Sequence, residues 1–325
     1  MNVSVRESGE VFPLHYLVTG VAGFIGSHLA RALLDGGNEV TGVDSFTDYY
    51  DRSLKEANLQ KLKQLKSAGS FKLIVGDVAD LKTEQLSDVD VVFHQAAQAG
   101  VRKSWGESFD AYTHNNVLAT QKLLEVCRRL DLQRFVYASS SSVYGEVEEL
   151  PVSENTLPCP VSPYGVSKLA GEHLVNLYHY NYGLPAVSLR YFTVYGPGQR
   201  PDMAFNIFIR SIFKGDRLQV FGDGNQTRDF TYIDDAVAAN LLAAEKPGLE
   251  GKIFNIGGGS RVPINRVITI LEEITGLKAK IDYHSPQKGD PRHTYADTSA
   301  ARRMMGFAPR VQMGEGLKHQ VESLG

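Results

Sequence analysis

Short apolar runs alternate with longer amphipathic stretches through the first half of the chain. Runs rich in β-branched and aromatic residues predict strands, and apolar spacings of three and four residues predict helices. Because helical stretches separate the strands, the pattern indicates βαβ units around a parallel, buried sheet. The predicted strands are 15–19, 39–43, 71–75, 91–94, 134–138 and 186–190, and the predicted helices are 24–35, 52–68, 109–130 and 163–182.

The pattern changes after residue 190, where glycine and proline cluster and the elements become shorter and mixed. The fold class is therefore α/β, with a Rossmann-type doubly wound parallel sheet and a smaller mixed α/β domain. We place the first domain at 1–193 and the second at 194–325, with segments near 233–260 crossing back to the first. The later predicted helices are 204–214, 233–245, 264–275 and 313–324, and the later strands are 218–221, 253–256 and 279–283.

Composition limits the classes of function. A formal net charge of -3 argues against a general nucleic-acid-binding protein, which carries a basic stripe. No run approaches the roughly 18 apolar residues of a membrane span. The polar opening, 1–13, does not resemble a signal peptide and is predicted to be a disordered leader. The nine histidines lack ligand spacing, so we expect no metal site. The two cysteines, Cys127 and Cys159, need no disulfide framework, so we expect a cytoplasmic protein. From the net charge and the lengths of the apolar runs we expect it to bind neither nucleic acid nor membrane.

A glycine-rich turn follows the first predicted strand and opens a helix. Its spacing, G-x-x-G-x-x-G, allows a tight turn, close approach of a pyrophosphate and contact between helix and sheet. Asp44 ends the second strand about 20 residues on, where a carboxylate binds ribose hydroxyls and repels a 2′-phosphate, which favours NAD over NADP. Asp77 and Val78 are placed at the adenine edge, although an ordinary loop aspartate fits equally well. The predicted cofactor contacts here are Gly20, Gly23, Phe24, Ile25, Gly26, Asp44, Asp77 and Val78.

Tyr164 and Lys168 stand four residues apart in a helix that begins at Pro163, so their side chains share one face. We expect the ammonium to lower the pKa of the phenol from about 10 toward neutrality, so that Tyr164 serves as a general base. Lys168 would also hold the nicotinamide ribose. Ser139–Ser142 follow strand 134–138, at the edge where open α/β sheets bind ligands. The alternative for Tyr164 and Lys168 is a chance pairing on the surface, and the alternative for Ser139–Ser142 is an ordinary serine-rich turn.

Nine segments of the chain resemble a known family: TGVAGFIGSH, GDVAD, HQAAQAGVR, HNNVLAT, SSSSVYGE, SPYGVSK, RYFTVYGPGQRPDMAF, FGDGNQTRDFTYIDD and GDPRHTYAD. Over essentially its whole length the sequence is similar to the extended short-chain dehydrogenase/reductase family of NAD-dependent sugar-nucleotide epimerases and dehydratases. The resemblance implies that Ser140, Tyr164 and Lys168 form the catalytic set, supported by Asn115. It also implies that Ala96 and Ala97 line the nicotinamide side, and that helices 109–130 and 163–182 form a homodimer.

Branches of this family differ beside the catalytic hydroxyl. Dehydratases carry Asp-Glu there and glucuronate decarboxylases carry Ser-Glu, whereas this chain has Ser141 and Ser142. Galactose epimerases carry Asn at the position of Thr193. The segments 44–55 and 193–204 resemble UDP-glucuronate 4-epimerases. That resemblance implies an isomerase that interconverts UDP-glucuronate and UDP-galacturonate through a 4-keto intermediate.

The resemblance also implies the contacts to a UDP-sugar. We expect Ser141, Ser142 and Thr193 to hold the sugar carboxylate by hydrogen bonds, with Arg200 as a charge partner. Two arginines match the diphosphate-binding arginines of the family, and Gln219–Phe221 resembles its uracil-binding segment. The predicted substrate contacts are Ser140, Ser141, Ser142, Thr193, Arg200, Phe205, Gln219, Phe221, Arg228 and Arg292.

Other functions stay open on the sequence. The nearest alternative is a 4-epimerase of UDP-glucose and UDP-galactose, or of their N-acetyl forms. The sequence does not separate these substrates, because it does not give the size of the sugar pocket. A UDP-glucuronate decarboxylase comes next. A non-catalytic NAD-binding regulator belongs to a different class and predicts a broken catalytic set, whereas Ser140, Tyr164 and Lys168 are all present.

Overall fold

The computed structural model describes residues 3–5, 11–66 and 70–325. The strands, in chain order, are β1 (Val3–Val5), β2 (Val11–Pro13), β3 (His15–Thr19), β4 (Glu39–Asp44), β5 (Phe71–Val75), β6 (Val91–His94), β7 (Arg134–Ser140), β8 (Ala186–Tyr191), β9 (Val194–Tyr195), β10 (Arg217–Phe221), β11 (Thr227–Asp229), β12 (Thr231–Tyr232), β13 (Lys252–Ile256), β14 (Arg261–Pro263) and β15 (Lys280–His284). The α-helices are α1 (Phe24–Asp35), α2 (Arg52–Lys63), α3 (Phe109–Tyr112), α4 (Ala119–Cys127), α5 (Pro163–Tyr182), α6 (Ala204–Lys214), α7 (Ile233–Glu245), α8 (Ile264–Thr275), α9 (Ser299–Met305) and α10 (Met313–Glu322).

The central sheet has seven strands in the order β13-β8-β7-β6-β3-β4-β5. Every neighbouring pair in it is parallel. The chain winds outward from β3 in one direction to β4 and β5, and in the other to β6, β7 and β8. This reversal leaves a crevice beside the carboxyl ends of β3 and β6, where ligands of doubly wound folds bind. The predicted fold class is confirmed.

Helices cover both faces of the sheet. Successive residues of a strand point to opposite faces, so Leu17 packs in one core with Leu123 of α4, whereas Tyr16 and Val18 pack in another with Leu29 of α1. Strands buried on both sides are apolar without alternation, which explains the continuous apolar runs of the sequence.

The second half of the chain returns to this sheet. Residues of β13 pair in parallel with β8, and α7 packs in the same core as α1. Three smaller sheets, β9 with β12, β10 with β15 and β11 with β14, lie in the second half. The division into domains 1–193 and 194–325 remains a prediction.

The differences from the predicted elements lie mainly at their ends. Instead of a disordered leader, β1 and β2 form an antiparallel pair, while residues 1–2 and 6–10 of that leader lie outside the described residues. Helix α2 ends at Lys63, and the predicted end at Ala68 lies outside the described residues. The predicted helix 109–130 is interrupted by a π-helical segment, Thr113–Leu118, between α3 and α4.

Candidate active site

The turn between β3 and α1 is built on glycines that the backbone requires. Gly20 has a φ of +67°, and a Cβ there would lie 2.9 Å from the Cα of Ala96. At Gly26 a Cβ would lie 2.2 Å from the carbonyl oxygen of Gly20. Because backbone atoms would have to move, a larger residue does not fit at either position. The turn thus brings the N-terminus of α1 to the crevice, as a pyrophosphate site requires.

A cavity of about 220 Å³ opens beside this turn. The ends of several strands and the start of α5 line this cavity. All the predicted cofactor contacts line it, namely Gly20, Gly23, Phe24, Ile25, Gly26, Asp44, Asp77, Val78, Ala96, Ala97, Asn115, Tyr164 and Lys168. We call it the cofactor cavity.

The ribose edge of the cofactor cavity carries a carboxylate and an ammonium side by side. Asp44 is buried and accepts hydrogen bonds from the backbone N–H of Ala22, at 3.1 Å, and of Phe46, at 2.8 Å. The Nζ of Lys55 lies 3.9 Å from an Asp44 oxygen and donates to the carbonyl of Thr47 at 2.9 Å. Spacing along the chain revealed Asp44, but it held no signal for Lys55, which reaches the cavity from α2.

Asp77 follows β5, the strand that pairs with β4, and is also held in place. It accepts a hydrogen bond from the backbone N–H of Ala79 at 2.8 Å and lies 2.7 Å from Nε2 of His114. The backbone hydrogen bond and the contact with His114 lower the pKa of Asp77, although burial opposes them. The carboxylate therefore stays ionised.

The π-helical segment Thr113–Leu118 carries two neighbouring asparagines with different surroundings. The amide of Asn115 donates to the carbonyl of Ala111 at 2.8 Å, and the residue lines the cofactor cavity. The buried Asn116 donates to the Oγ of Ser167 at 2.8 Å and so connects this segment to α5. Asn116 therefore links the π-helical segment to α5, and the supporting role of Asn115 remains a prediction. Widened helical turns of this kind often mark functional sites.

Helix α5 begins with a strong cap that fixes the catalytic face. The Oγ of Ser162 accepts a hydrogen bond from the N–H of Gly165 at 3.1 Å, and Pro163 occupies the first helical position. Tyr164 and Lys168 follow on one face, and Lys168 is only 2% exposed. The ring of Tyr164 packs edge-on against Tyr112, with centroids 6.2 Å apart.

Burial dominates the ionisation of both catalytic side chains. It raises the pKa of Tyr164 above its usual value, against a hydrogen bond with Ser140 and the positive charge of Arg200. It lowers the pKa of Lys168 to about 7, against the attraction of Glu172. The prediction that Lys168 draws the pKa of the phenol toward neutrality is therefore wrong for the chain alone, because lost hydration outweighs nearby charge.

The serines after β7 have separate partners. The hydroxyl of Ser139 donates to Glu172 at 2.7 Å. Ser140 accepts a hydrogen bond from the N–H of Ser142 at 3.1 Å, and its hydroxyl also bonds Tyr164. Ser140 is thus the serine placed beside the phenol, as predicted for the catalytic hydroxyl.

A second cavity, of about 1240 Å³, lies between the sheet edge and the second half of the chain. We call it the sugar-nucleotide cavity. Tyr164 and Arg200 line both cavities, so the two spaces meet at the phenol. Nine of the ten predicted substrate contacts line it, namely Ser140, Ser141, Ser142, Thr193, Arg200, Gln219, Phe221, Arg228 and Arg292.

Phe205 differs from its prediction as a substrate contact. It is 1% exposed, and its ring packs against Phe230 and Tyr195 with centroids 4.6 Å and 5.4 Å away. Because side chains around a helix turn by about 100° per residue, its neighbours on α6 face the cavity instead. Ala204, one residue before it, and Ile207, two residues after it, line the cavity.

Arg200 already has an anionic partner. Its Nε and Nη2 donate to the two oxygens of Asp202 at 2.9 Å and 3.0 Å. The hydroxyl of Tyr49, in the loop after β4, donates to the same carboxylate at 3.2 Å. This cluster joins the cofactor side to the sugar side. The sequence prediction missed Tyr49 and Asp202, since only the fold brings these segments together.

Cations line the far wall of the sugar-nucleotide cavity. The partly buried guanidinium of Arg228 donates to the carbonyls of Thr227, at 2.9 Å, and of Arg292, at 3.1 Å. The side chain of Arg292 is 61% exposed and pairs with Asp223 at 3.1 Å. Burial lowers the pKa of Arg228, but the group remains a cation near neutral pH. Arg228 is therefore the deeper of the two predicted diphosphate contacts.

Arg102 is an aromatic-stacked cation that the sequence prediction did not single out. Its guanidinium lies 4.5 Å from the ring centre of Phe221 and pairs with Asp290 at 2.8 Å. Phe221 was predicted to contact uracil, so the stack lies at that end of the cavity.

Over 3–5, 11–66 and 70–325, no group of three His, Cys, Asp or Glu side chains is arranged to hold a metal ion. Within the same ranges, none of the helices combines the length and apolar character needed to span a membrane.

Known proteins resemble this chain over nearly its whole length. A protein of Bacillus subtilis (strain 168) named as an uncharacterized UDP-glucose epimerase, YtcB, is 46% identical over 95% of this chain and 97% of its own. The UDP-glucuronate 4-epimerase of Thermodesulfobacterium geofontis (strain OPF15) is 41% identical, over 94% and 95%. The crystal structure of UDP-glucuronic acid 4-epimerase from Bacillus cereus, in complex with UDP-glucuronic acid and NAD, superposes with a TM-score of 0.92 at 44% identity, over 96% and 99%. Residues 16–257 match the NAD dependent epimerase/dehydratase family. The resemblance inferred from the sequence is thus confirmed, and the chain belongs to this family.

Proposed function

We propose that this protein is an NAD-dependent isomerase that interconverts UDP-glucuronate and UDP-galacturonate through a 4-keto intermediate. The observation that carries the proposal is the meeting of two cavities at Tyr164. One cavity begins at a dinucleotide-binding turn, and the other has hydroxyls near the phenol and cations at its far end. Relatives named for this activity at 41% and 44% identity support it.

NAD fits the cofactor cavity by the chemistry of its edges. The glycine turn suits the pyrophosphate, Asp44 suits ribose hydroxyls and disfavours a 2′-phosphate, and Lys168 suits the nicotinamide ribose. When bound, NAD would supply the hydride acceptor and donor by which C4 of the sugar could be oxidised and then reduced from the opposite face of its ring. The cofactor is therefore regenerated in each cycle.

The chain's own residues move the proton. Tyr164, as the phenolate, accepts the proton of the sugar 4-hydroxyl and later returns it. Ser140 bonds both the phenol and the reacting oxygen. Because burial raises the pKa of Tyr164 in the chain alone, nearby cations must favour the phenolate during the reaction. Lys168 and Arg200 supply such charge.

The carboxylate of the sugar needs restraint, since a 4-keto-uronate is a β-keto acid that loses CO₂ when the bond to the carboxylate aligns with the carbonyl π system. Ser141, Ser142 and Thr193 line the cavity and offer hydroxyl donors without a strong acid. Arg200 is paired with Asp202, which limits its pull on the carboxylate. This set suits epimerisation better than dehydration or decarboxylation.

The UDP moiety would occupy the far end of the sugar-nucleotide cavity. Arg228 and Arg292 suit the diphosphate, because guanidinium groups bind phosphate oxygens in pairs. Gln219 and Phe221 suit the uracil by hydrogen bonding and stacking.

We further propose a cytoplasmic homodimer. Exposed apolar side chains on the π-helical segment and on α5 support a helical interface, among them Leu118, Val166 and Leu177. Sedimentation equilibrium measures this state. Both cysteines, Cys127 and Cys159, are free thiols, in keeping with a reducing compartment.

A product assay tests the function. The purified protein is incubated separately with UDP-glucuronate, UDP-glucose and UDP-N-acetylglucosamine, and the products are separated by chromatography. We expect UDP-galacturonate from the first. Conversion of the neutral sugars alone would reject UDP-glucuronate as the substrate but leave 4-epimerisation as the reaction. This alternative is specific, because one relative is named as a UDP-glucose epimerase.

A further inference from the structure

A buried carboxylate lies on the same face of α5 as Tyr164 and Lys168, and it has no part in the reaction as proposed. Glu172 follows Lys168 by four residues and is 1% exposed. Positions four residues apart share a helix face, so Tyr164, Lys168 and Glu172 form one continuous row. A carboxylate at this depth is stable only when it is hydrogen-bonded and paired.

Glu172 accepts hydrogen bonds from two neighbouring strands. Arg190 of β8 donates from Nε at 3.0 Å and from Nη2 at 2.6 Å, which makes a bidentate pair. Ser139 of β7 donates its hydroxyl at 2.7 Å. Arg190 is held from its other side, because it also donates to the hydroxyl of Tyr144 at 2.7 Å. The carboxylate therefore has a fixed orientation and a buried counter-ion.

Glu172 lies one helical turn from Lys168 on the same face of α5, and its negative charge acts on the ammonium. The ammonium lies 4.5 Å from the ring centre of Tyr137 on β7. His94 on β6 is a neutral imidazole, since burial and the charge of Lys168 lower its pKa to about 3. Tyr164 completes the surroundings from the same helix. Burial lowers the pKa of Lys168 to about 7, and the negative charge of Glu172 acts against it.

The bond to Ser139 also assigns the serines. Ser139 lines both cavities. A hydroxyl has one proton to donate, and that of Ser139 is committed to Glu172. Ser140, the next residue, is left to bond Tyr164 and the sugar.

We propose that Glu172 is a positioning residue of this active site, which keeps Lys168 as an ammonium ion and directs Ser139 away from the sugar, with Arg190 as its buried counter-ion. The inference rests on the proposed function, in which Lys168 holds the cofactor ribose as a cation. Removal of the anion makes Lys168 lose its proton at a lower pH.

The test compares variants that separate charge from shape. Glu172→Gln removes the charge, Glu172→Asp retains it, and Glu273→Gln removes a carboxylate from an exposed pair with Arg266 on α8. Two quantities are followed from neutral to alkaline pH. They are kcat/KM for UDP-glucuronate, which reports groups of the free enzyme, and the NAD that stays bound through gel filtration.

For Glu172→Gln we expect the alkaline limb of both profiles to move to lower pH by about 1 unit. Glu172→Asp keeps the negative charge and Glu273→Gln changes a distant carboxylate, so both should leave the alkaline limb of the two profiles at its wild-type pH. An unshifted profile in folded Glu172→Gln would overturn the proposal and leave Glu172 as a structural residue. A protein that retains NAD with the expected shift but does not convert UDP-glucuronate would reject the proposed function alone.

Folding has its own control. Glu172→Gln leaves Arg190 buried without a counter-ion and lowers the melting temperature. The double variant Glu172→Gln/Arg190→Gln removes both charges and should shift both profiles in the same direction, by less. If neither variant folds, the role of Glu172 is to stabilise the folded protein, and the proposal is wrong.

Discussion

The two cavities that meet at Tyr164 differ in how they are built. The cofactor cavity begins at the glycine turn, and its carboxylate Asp44 is fixed by backbone hydrogen bonds. The sugar-nucleotide cavity is more than five times larger, 1240 against 220 Å³, and long cationic side chains line it. Backbone sites are preorganised, whereas long side chains must be ordered on binding. We therefore expect cofactor binding to be most sensitive to substitutions that change the shape of its site. We expect UDP-sugar binding to be most sensitive to substitutions that remove charge.

The phenol belongs to both cavities, so its loss should have the largest effect. Tyr164→Phe removes the proton acceptor and keeps the ring, so we expect kcat to fall by about 10²–10⁴-fold. NAD content and UDP-glucuronate affinity, measured by absorbance and calorimetry, should stay near wild type. Tyr180→Phe, at a tyrosine that is 87% exposed, is the matched control. Full turnover by Tyr164→Phe would refute the mechanism.

Arg228→Ala tests the charge of the sugar-nucleotide cavity alone. Loss of a partly buried, charge-assisted contact to the diphosphate should raise KM by about 10–100-fold while NAD content is unchanged. Kinetics with UDP-glucuronate and the nucleotide content of the purified protein measure the two effects. Arg266→Ala, which breaks an exposed ion pair, should change neither. Loss of NAD from Arg228→Ala would contradict the separation of the two cavities.

Asp44→Asn tests the cofactor cavity in turn. Neutralising this carboxylate weakens the bonds to the ribose and removes the repulsion of a 2′-phosphate. The preference for NAD over NADP should fall by about tenfold. Fluorescence titration of protein freed of nucleotide measures both affinities, and UDP affinity serves as the internal control. An unchanged preference would show that Asp44 does not select the cofactor.

Thr193→Ala should have the smallest effect, on the fate of the intermediate. One lost hydroxyl donor loosens the sugar carboxylate, so the share of pentose by-product should rise by about fivefold. Chromatography of products at complete conversion gives this share, with Thr269→Ala on the exposed part of α8 as control. An unchanged share would remove Thr193 from the set that restrains the carboxylate.

Features set by short stretches of chain could be predicted well. The strand, glycine turn and helix at 15–35, the strands of the sheet, and the pair Tyr164 and Lys168 all depend on spacings within a few residues. Backbone geometry makes such spacings decisive, because a glycine turn or a helix face allows few alternatives. The cofactor cavity is mostly of this kind.

Features that join distant segments could not be predicted in the same way. Lys55 reaches Asp44 from the next helix, Tyr49 meets Asp202 across 153 positions, and Phe205 turns into the core. Each depends on which way a side chain points once elements pack, and hydrophobic patterns leave that direction undetermined.

The sequence by itself therefore determined the doubly wound sheet, the glycine turn before α1 and the shared helix face of Tyr164 and Lys168, the predicted catalytic pair. Tertiary structure alone decided the charge state around that pair. The pKa of Tyr164 is raised and that of Lys168 is lowered because both are buried, and Glu172 meets Ser139 and Arg190 only because α5 packs on β7 and β8. Local spacing sets which groups share a face, but the loss of water around them is a property of the packed fold.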